Sequence, residues 1–161
     1  MTEQAAESDA VSARPITIRP VRQHEVAQCV HHGRAFFESR KLCGEFIPDR
    51  FIAFWNGLLQ SGMGTIIGAW RNEDLLGGIG GGVYPEPYSG VLVAQEMFWW
   101  FPNGGRSAVR LVLEFESWAG RQGAWSVGLA RFADTPRVGE LYGVLGYRES
   151  DVYHKKELRH A

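Results

Sequence analysis

The chain is poor in cysteine: Cys29 and Cys43 stand alone and far apart, without a Cys-x-x-Cys pair or Cys/His spacing. That pattern favours reduced, inert thiols in the cytosol over a disulfide framework or a zinc site. Net charge is only -1, so no global field selects nucleic acid, an anionic membrane surface or a strongly acidic partner. No apolar stretch approaches the roughly 18 residues of a membrane span. The opening MTEQAAESDAVSAR also lacks the apolar centre of a signal peptide, so a soluble cytoplasmic protein is expected. A Walker loop, a dinucleotide fingerprint after the first strand, a serine-hydrolase elbow and a zinc motif are all missing. Internal repeats and low-complexity tracts are missing too.

What is present is ordinary for one globular domain of 161 residues, apart from 20 glycines and 6 tryptophans. Residues 1–14 are small, polar and acidic and read as a disordered tail, with a single domain over 15–161. Ile16 to Val21 alternates as a first strand ended by Pro20. From His24 to Ser39, Val26, Cys29, Val30, Ala35, Phe36 and Phe37 recur at helical spacing. After Pro48, the residues Phe51, Phe54, Trp55, Leu58 and Leu59 form a clearer helical stripe that stops near Gly62. Gly64 to Trp70 and the glycine-rich Leu75 to Val83 read as a hairpin. Val91 to Phe101, with Gln95 and Glu96 as its polar members, reads as a central strand covered on both faces. Leu111, Val112, Phe115, Trp118 and Ala119 mark a third helix, followed by a strand over Trp125 to Phe132, a short helix over Pro136 to Leu145 and a last strand over Ser150 to Leu158. These elements pack most simply as an α/β sandwich around a mixed sheet, in the order βααβββαβαβ.

Two features carry chemistry. The first is the turn PNGGRSA between the central strand and the third helix. Such a turn offers unpaired N–H groups and the positive end of the helix dipole to an anion, with Arg106 and Arg110 beside it. A tight turn without a ligand is the plain alternative. The second is Glu96, a carboxylate inside the apolar run LVAQEMFWWF. It is either a general base facing a cleft or a structural carboxylate paired with an arginine or a backbone amide, and both remain open here. His31 and His32 line a substrate cleft or lie on the surface, and His24, His154 and His160 show no metal spacing. Phe98, Trp99, Trp100 and Phe101 read as core or dimer surface, with one ring available to line an acyl or acceptor pocket.

Taken together, the carboxylate-bearing strand, the aromatic-Pro step, the Gly/Arg turn, the amphipathic helix and the segment LYGVLGY resemble the Gcn5-related N-acetyltransferase (GNAT) family from Ile16 to Leu158. The aromatic-Pro-Gly-Gly-Arg form with ESWAGRQGA downstream looks like a phage-associated or bacterial subgroup. The resemblance implies a mixed, mostly antiparallel sheet flanked by helices, with acetyl-CoA as cosubstrate. It places the pantetheine and pyrophosphate against Phe98, Trp99, Trp100, Asn103, Gly104, Gly105, Arg106, Ser107 and Ala108. It also assigns Glu96 as the base that deprotonates the amine and Tyr142 as the acid that protonates the departing thiolate. The plain role for that phenol is packing. The implied acceptor is a small-molecule or peptide amine attacked directly, with neither nucleic acid nor membrane as partner and a homodimer left open.

The turn departs from the family's Gln/Arg-x-x-Gly-x-Gly/Ala pattern, because among Asn103 to Ala108 only Ala108 fits a fixed position. Arg106 stands where glycine normally lets phosphate approach the backbone. Either the loop is reshaped or the arginine itself meets the anion. A second reading follows, in which the chain is a non-catalytic module of this fold that binds acyl-CoA or a protein. Retention of Glu96 and Tyr142 argues for the enzyme.

Overall fold

The computed structural model describes residues 15–156 and 158, so the tail read over residues 1–14 and His160 lie outside the described residues. The chain divides into two compact units, the first running to Leu129 and the second from Ala130.

The first unit contains β1 (Thr17–Pro20), a 3-10 helix (Gln23–Cys29), α1 (Val30–Ser39), α2 (Pro48–Gln60), β2 (Gly64–Arg71) and β3 (Asp74–Pro85). It continues through β4 (Leu92–Trp100), α3 (Arg106–Arg121) and β5 (Ser126–Gly128). Its five strands form one sheet in the order β1-β2-β3-β4-β5. The first four pair antiparallel, and β5 joins β4 in parallel. A parallel neighbour needs a crossover, and α3 supplies it. The helical stretch from His24 divides in two: a tighter 3-10 segment ends at Cys29 before α1 begins. That segment is pinned by Glu25, whose carboxylate accepts from Arg19 Nη1 at 2.8 Å and Nη2 at 2.9 Å and from the Arg22 amide at 2.8 Å.

The sheet is covered on both faces. On one, Val21, Val26, Cys29, Trp55, Ile66, Trp70 and Phe98 make a buried cluster beneath α1 and α2. On the other, the stripe Leu111, Val112, Phe115 and Ala119 of α3 is fully buried. The glycine richness of β3 follows from these rings. A Cβ on Gly80 would run into Phe98 and Trp55, and one on Gly81 would meet Phe115 at 2.6 Å. The strand gives up side chains so that large rings reach the backbone from both sides.

The second unit holds α4 (Pro136–Val144), begun by Pro136 as a first-turn residue. Its end explains LYGVLGY. Gly146 has φ +91°, the Tyr147 amide donates to the Tyr142 carbonyl at 2.9 Å, and the Gly146 amide donates to the Gly143 carbonyl at 3.1 Å. Those two bonds are a Schellman cap, completed by the Tyr142 and Tyr147 rings 5.7 Å apart.

Two expected strands are corrected. The one read over Trp125 to Phe132 is formed only at Ser126–Gly128. The one read over Ser150 to Leu158 is not a strand at any described residue of that segment, so the observed order is βααβββαβα, with the 3-10 helix ahead of α1. Alternation of residue types makes a strand possible, but a strand exists only where a neighbour offers its hydrogen bonds.

Candidate functional site

β4 carries an irregularity that the sequence does not announce. Its register against β3 runs Phe98 opposite Gly80 and then Glu96 opposite Gly81. Met97 is therefore an extra residue, a β-bulge. The bulge changes which way the strand's side chains point. Ala94 packs with Ala119 on the α3 side, and Glu96 sits opposite Gly81, whose Cβ direction is toward Phe115. Beyond the bulge Phe98 faces α2, its ring 5.3 Å from Trp55. Glu96 itself is buried, 7% exposed.

β5 stays with β4 only from Val93/Ser126 to Gln95/Gly128. Just past this point comes the bulge of β4, and the pairing with β5 ends. The Trp125 amide donates to the Leu92 carbonyl at 2.7 Å, so that carbonyl points to the β5 side, and strand periodicity aims the Ala94 and Glu96 carbonyls the same way. The Glu96 carbonyl is the first on that side beyond the β5 pairing. It accepts from the Gln95 side-chain amide at 3.2 Å.

Downstream of β4 the chain turns through Pro102 and Asn103 into α3. Gly104 and Gly105 have φ +58° and +75°, and Gly105 is the N-cap with ψ -159° and no side-chain cap. That second conformation belongs essentially to glycine. A Cβ at either position would meet nothing within 4 Å, so both glycines serve backbone shape and leave open space above the turn. The Gly104 amide closes onto the Phe101 carbonyl at 3.1 Å, and the Ala108 amide onto Gly105 at 3.1 Å. Asn103 and Arg106 are exposed, Ser107 is half-buried and Ala108 is buried. Arg110 turns away to donate to the Ile16 carbonyl at 3.1 Å, leaving Arg106 as the cation at the turn.

The residues expected to hold a cofactor thus occupy different surroundings. The Phe98 and Trp100 rings pack on Phe36 at 6.3 and 6.5 Å beneath α1. Their side chains belong to the core, and only their backbone faces the strand edge. Trp99 is half-buried across from Ile79. In the second unit Tyr142 is buried, and its hydroxyl donates to the Ala130 carbonyl at 3.1 Å.

Other expectations resolve simply. His32 Nε2 lies 2.8 Å from the Leu75 carbonyl, which only accepts, so Nε2 carries the proton. Burial lowers the pKa of His32, while His31 is exposed with its ring edge-on to His32 at 5.4 Å. Cys29 and Cys43 are free, and burial pushes the Cys29 thiol up to about 12. The loop from Pro85 to Gly90 is shaped by Glu86, which accepts from the Ser89 hydroxyl at 2.8 Å and the Ser89 and Tyr88 amides at 2.6 and 2.9 Å. Among the described residues no cluster of metal-binding side chains occurs. No described helix is long and apolar enough to cross a membrane.

Sequence reasoning passed over Gln95 and the bulge. Gln95 was visible as a polar residue in an apolar run. Met97 carried no signal, because a bulge lies in the register between two strands.

No family model and no curated protein matches the sequence. Solved structures do match. A transcriptional regulator from Bacillus halodurans C-125 superposes with a TM-score of 0.74 at 19% identity, over 89% of this chain and 100% of its own. An aminoglycoside acetyltransferase from an uncultured soil metagenomic sample, in complex with sisomicin, gives 0.70 at 15% identity over 89% and 97%. The aminoglycoside N-acetyltransferase AAC(6')-Iy in complex with CoA gives 0.66 at 15% identity over 90% and 95%. The mostly antiparallel five-stranded sheet flanked by helices is the fold of the Gcn5-related N-acetyltransferases.

Proposed function

We propose that this protein is an acetyl-CoA-dependent N-acetyltransferase that passes the acetyl group to a primary amine by direct attack. The observation that carries the reading is the end of the β4–β5 pairing at Gln95/Gly128, ahead of the Gly104-Gly105 turn in the chain. An extended thioester laid along β4 from that point brings its phosphates to the start of α3, where backbone amides and Arg106 meet them. The likeness to acetyltransferases solved with CoA or with a CoA-linked analogue supports the same cosubstrate.

In the proposed chemistry the amine must be neutral, since an ammonium has no lone pair. Glu96 takes its proton, directly or through water. The thioester carbonyl and the amine are held together, the tetrahedral species collapses, and CoA leaves as a thiolate that Tyr142 protonates. No covalent enzyme intermediate forms. The acceptor class stays at the level of an amine on a small molecule or peptide.

One observation favours the binding-module reading. The Tyr142 hydroxyl is engaged with the Ala130 carbonyl and is well placed for a purely structural job.

The experiment is thermal unfolding with acetyl-CoA, followed by release of free CoA thiol against a panel of amines. Stabilisation of about 2.7 kcal/mol is expected at a hundred times the dissociation constant. A melting curve unmoved by millimolar acetyl-CoA would sink the cosubstrate. Stabilisation without thiol release from any amine would leave the binding module.

A further inference from the structure

Alternation along β3 turns Gly80 and Gly82 to the α2 face of the sheet, while Val83 packs with Ala94 and Ala119 on the other. Gly80 lies under the Trp55 and Phe98 rings. Above Gly82 two side chains converge, since a Cβ there would meet Leu58 Cδ2 and Met97 Cε, each at 3.7 Å. Met97 reaches this place as the bulged residue between Glu96 and Phe98. It is 44% exposed. Tyr84, two residues along β3 on the same face, is 45% exposed. Phe54, one turn before Leu58 on α2, is 52% exposed. Together with Leu58, these side chains form an accessible apolar strip with a glycine floor.

The elements that build the strip are also almost without charge. Across residues 51–70, 75–85 and 91–105 the sequence places a single ionisable acid or base of the Asp, Glu, Lys, Arg or His type, Glu96. Glu96 directly precedes Met97 in β4. The strip therefore begins beside the carboxylate read as the base, yet supplies no carboxylate of its own to a cationic body.

We propose that the acceptor is a monoamine on an uncharged, apolar body, of the arylalkylamine or alkylamine class, and that Met97 and Leu58 select it. The inference rests on the acetyl-transfer reading and narrows its acceptor. An apolar surface favours the neutral form of an amine over the ammonium, and the neutral form is the one that attacks. A monoamine thus sheds its only charge in the step that the reaction already requires. A polyamine keeps further ammonium groups, and each needs a partner to replace the water it leaves. The strip offers none. The acceptor class therefore differs from that of the similarly folded acetyltransferase solved with sisomicin.

The test is release of CoA thiol from acetyl-CoA by the full chain with three amines: 2-phenylethylamine, sisomicin and free lysine. The expected kcat/KM for 2-phenylethylamine exceeds that for either charged acceptor by at least about tenfold. Met97→Ala should lower it by about tenfold and leave the KM for acetyl-CoA unchanged. Met97→Glu, which puts a carboxylate on the strip, should lower it too and raise kcat/KM for sisomicin. Because Met97 is nearly half exposed, neither variant removes a core contact. If sisomicin or lysine is used as well as 2-phenylethylamine, the proposal is overturned and acetyl transfer stands. A rate with 2-phenylethylamine that ignores both substitutions also overturns it, because the strip then does not touch the acceptor. Thiol release with none of the three amines takes down the acetyl-transfer reading and the proposal together.

Discussion

Glu25, which no motif marks, is a strongly perturbed carboxylate. Hydrogen bonds from Arg19 lead, and the Arg22 amide adds to them, holding Glu25 at about 2 against the desolvation that opposes ionisation. A carboxylate depressed in the folded state stabilises it fully above the ordinary value of 4.5 and loses that contribution as pH falls toward about 2. Glu25→Gln is expected to cost about 1–3 kcal/mol at neutral pH and to flatten the acid limb of a urea-midpoint profile. A variant that keeps the same acid limb would place the acid sensitivity elsewhere. His32 works with the opposite charge. Its pKa is lowered by burial, so the unfolded chain binds the proton more readily, and stability should fall as pH drops below the ordinary 6.5. His32→Asn should remove that dependence below the ordinary 6.5, read from the same denaturant midpoints. For Tyr142 the two roles separate cleanly. As the acid, Tyr142→Phe lowers turnover by about a hundredfold with acetyl-CoA affinity unchanged. As a packing residue that bonds Ala130, it costs about 1 kcal/mol of stability and moves turnover by less than about threefold.

Among the elements, the start of α3 depends on backbone conformation more than on side chains. Gly105 combines φ +75° with ψ -159°, and the space beside it is open, so an added methyl strains the chain without touching a neighbour. Gly105→Ala should cost about 1–3 kcal/mol locally, and the turn should relax in a way that withdraws its amides from an anion. CoA affinity is expected to fall by at least about tenfold, while Gly120→Ala, on the same helix and also in open space, leaves it unchanged. Equal affinities for the two variants would detach the turn from phosphate binding. Most elements could be read from the sequence because their signals are local. The stripe of α3 repeats at helical spacing, Pro48 and Pro136 open their helices, and Gly146 closes α4 with a positive φ. β5 was read too long for the opposite reason. Its length depends on when β4 turns away, and nothing within residues 125–132 records that.

At the scale of the whole molecule, the face under α3 relies on large rings set against glycines. Phe115→Ala should destabilise by about 3–5 kcal/mol, since Phe115 is fully buried and presses on the backbone of Gly81. Denaturant unfolding measures it, and a loss under about 1 kcal/mol would mean that face collapses to fill the gap. The sequence by itself determined the type of most elements, the α/β class, the two-faced burial of β4 and the Gly-Gly turn before α3, because periodicity and glycine conformation act over a few neighbouring residues. It also presented Glu96 as a carboxylate out of place. Only the tertiary structure decided that Met97 is bulged, that Phe98 and Trp100 turn into the α1 side of the core, that Arg110 donates to the Ile16 carbonyl ahead of β1, and that the Gln95 side chain lies against Gly128. Each of these is a relation between strands or side chains distant in sequence. The physical reason is that hydrogen-bond register is a property of pairs: the same residues with a different partner strand would leave a different carbonyl open.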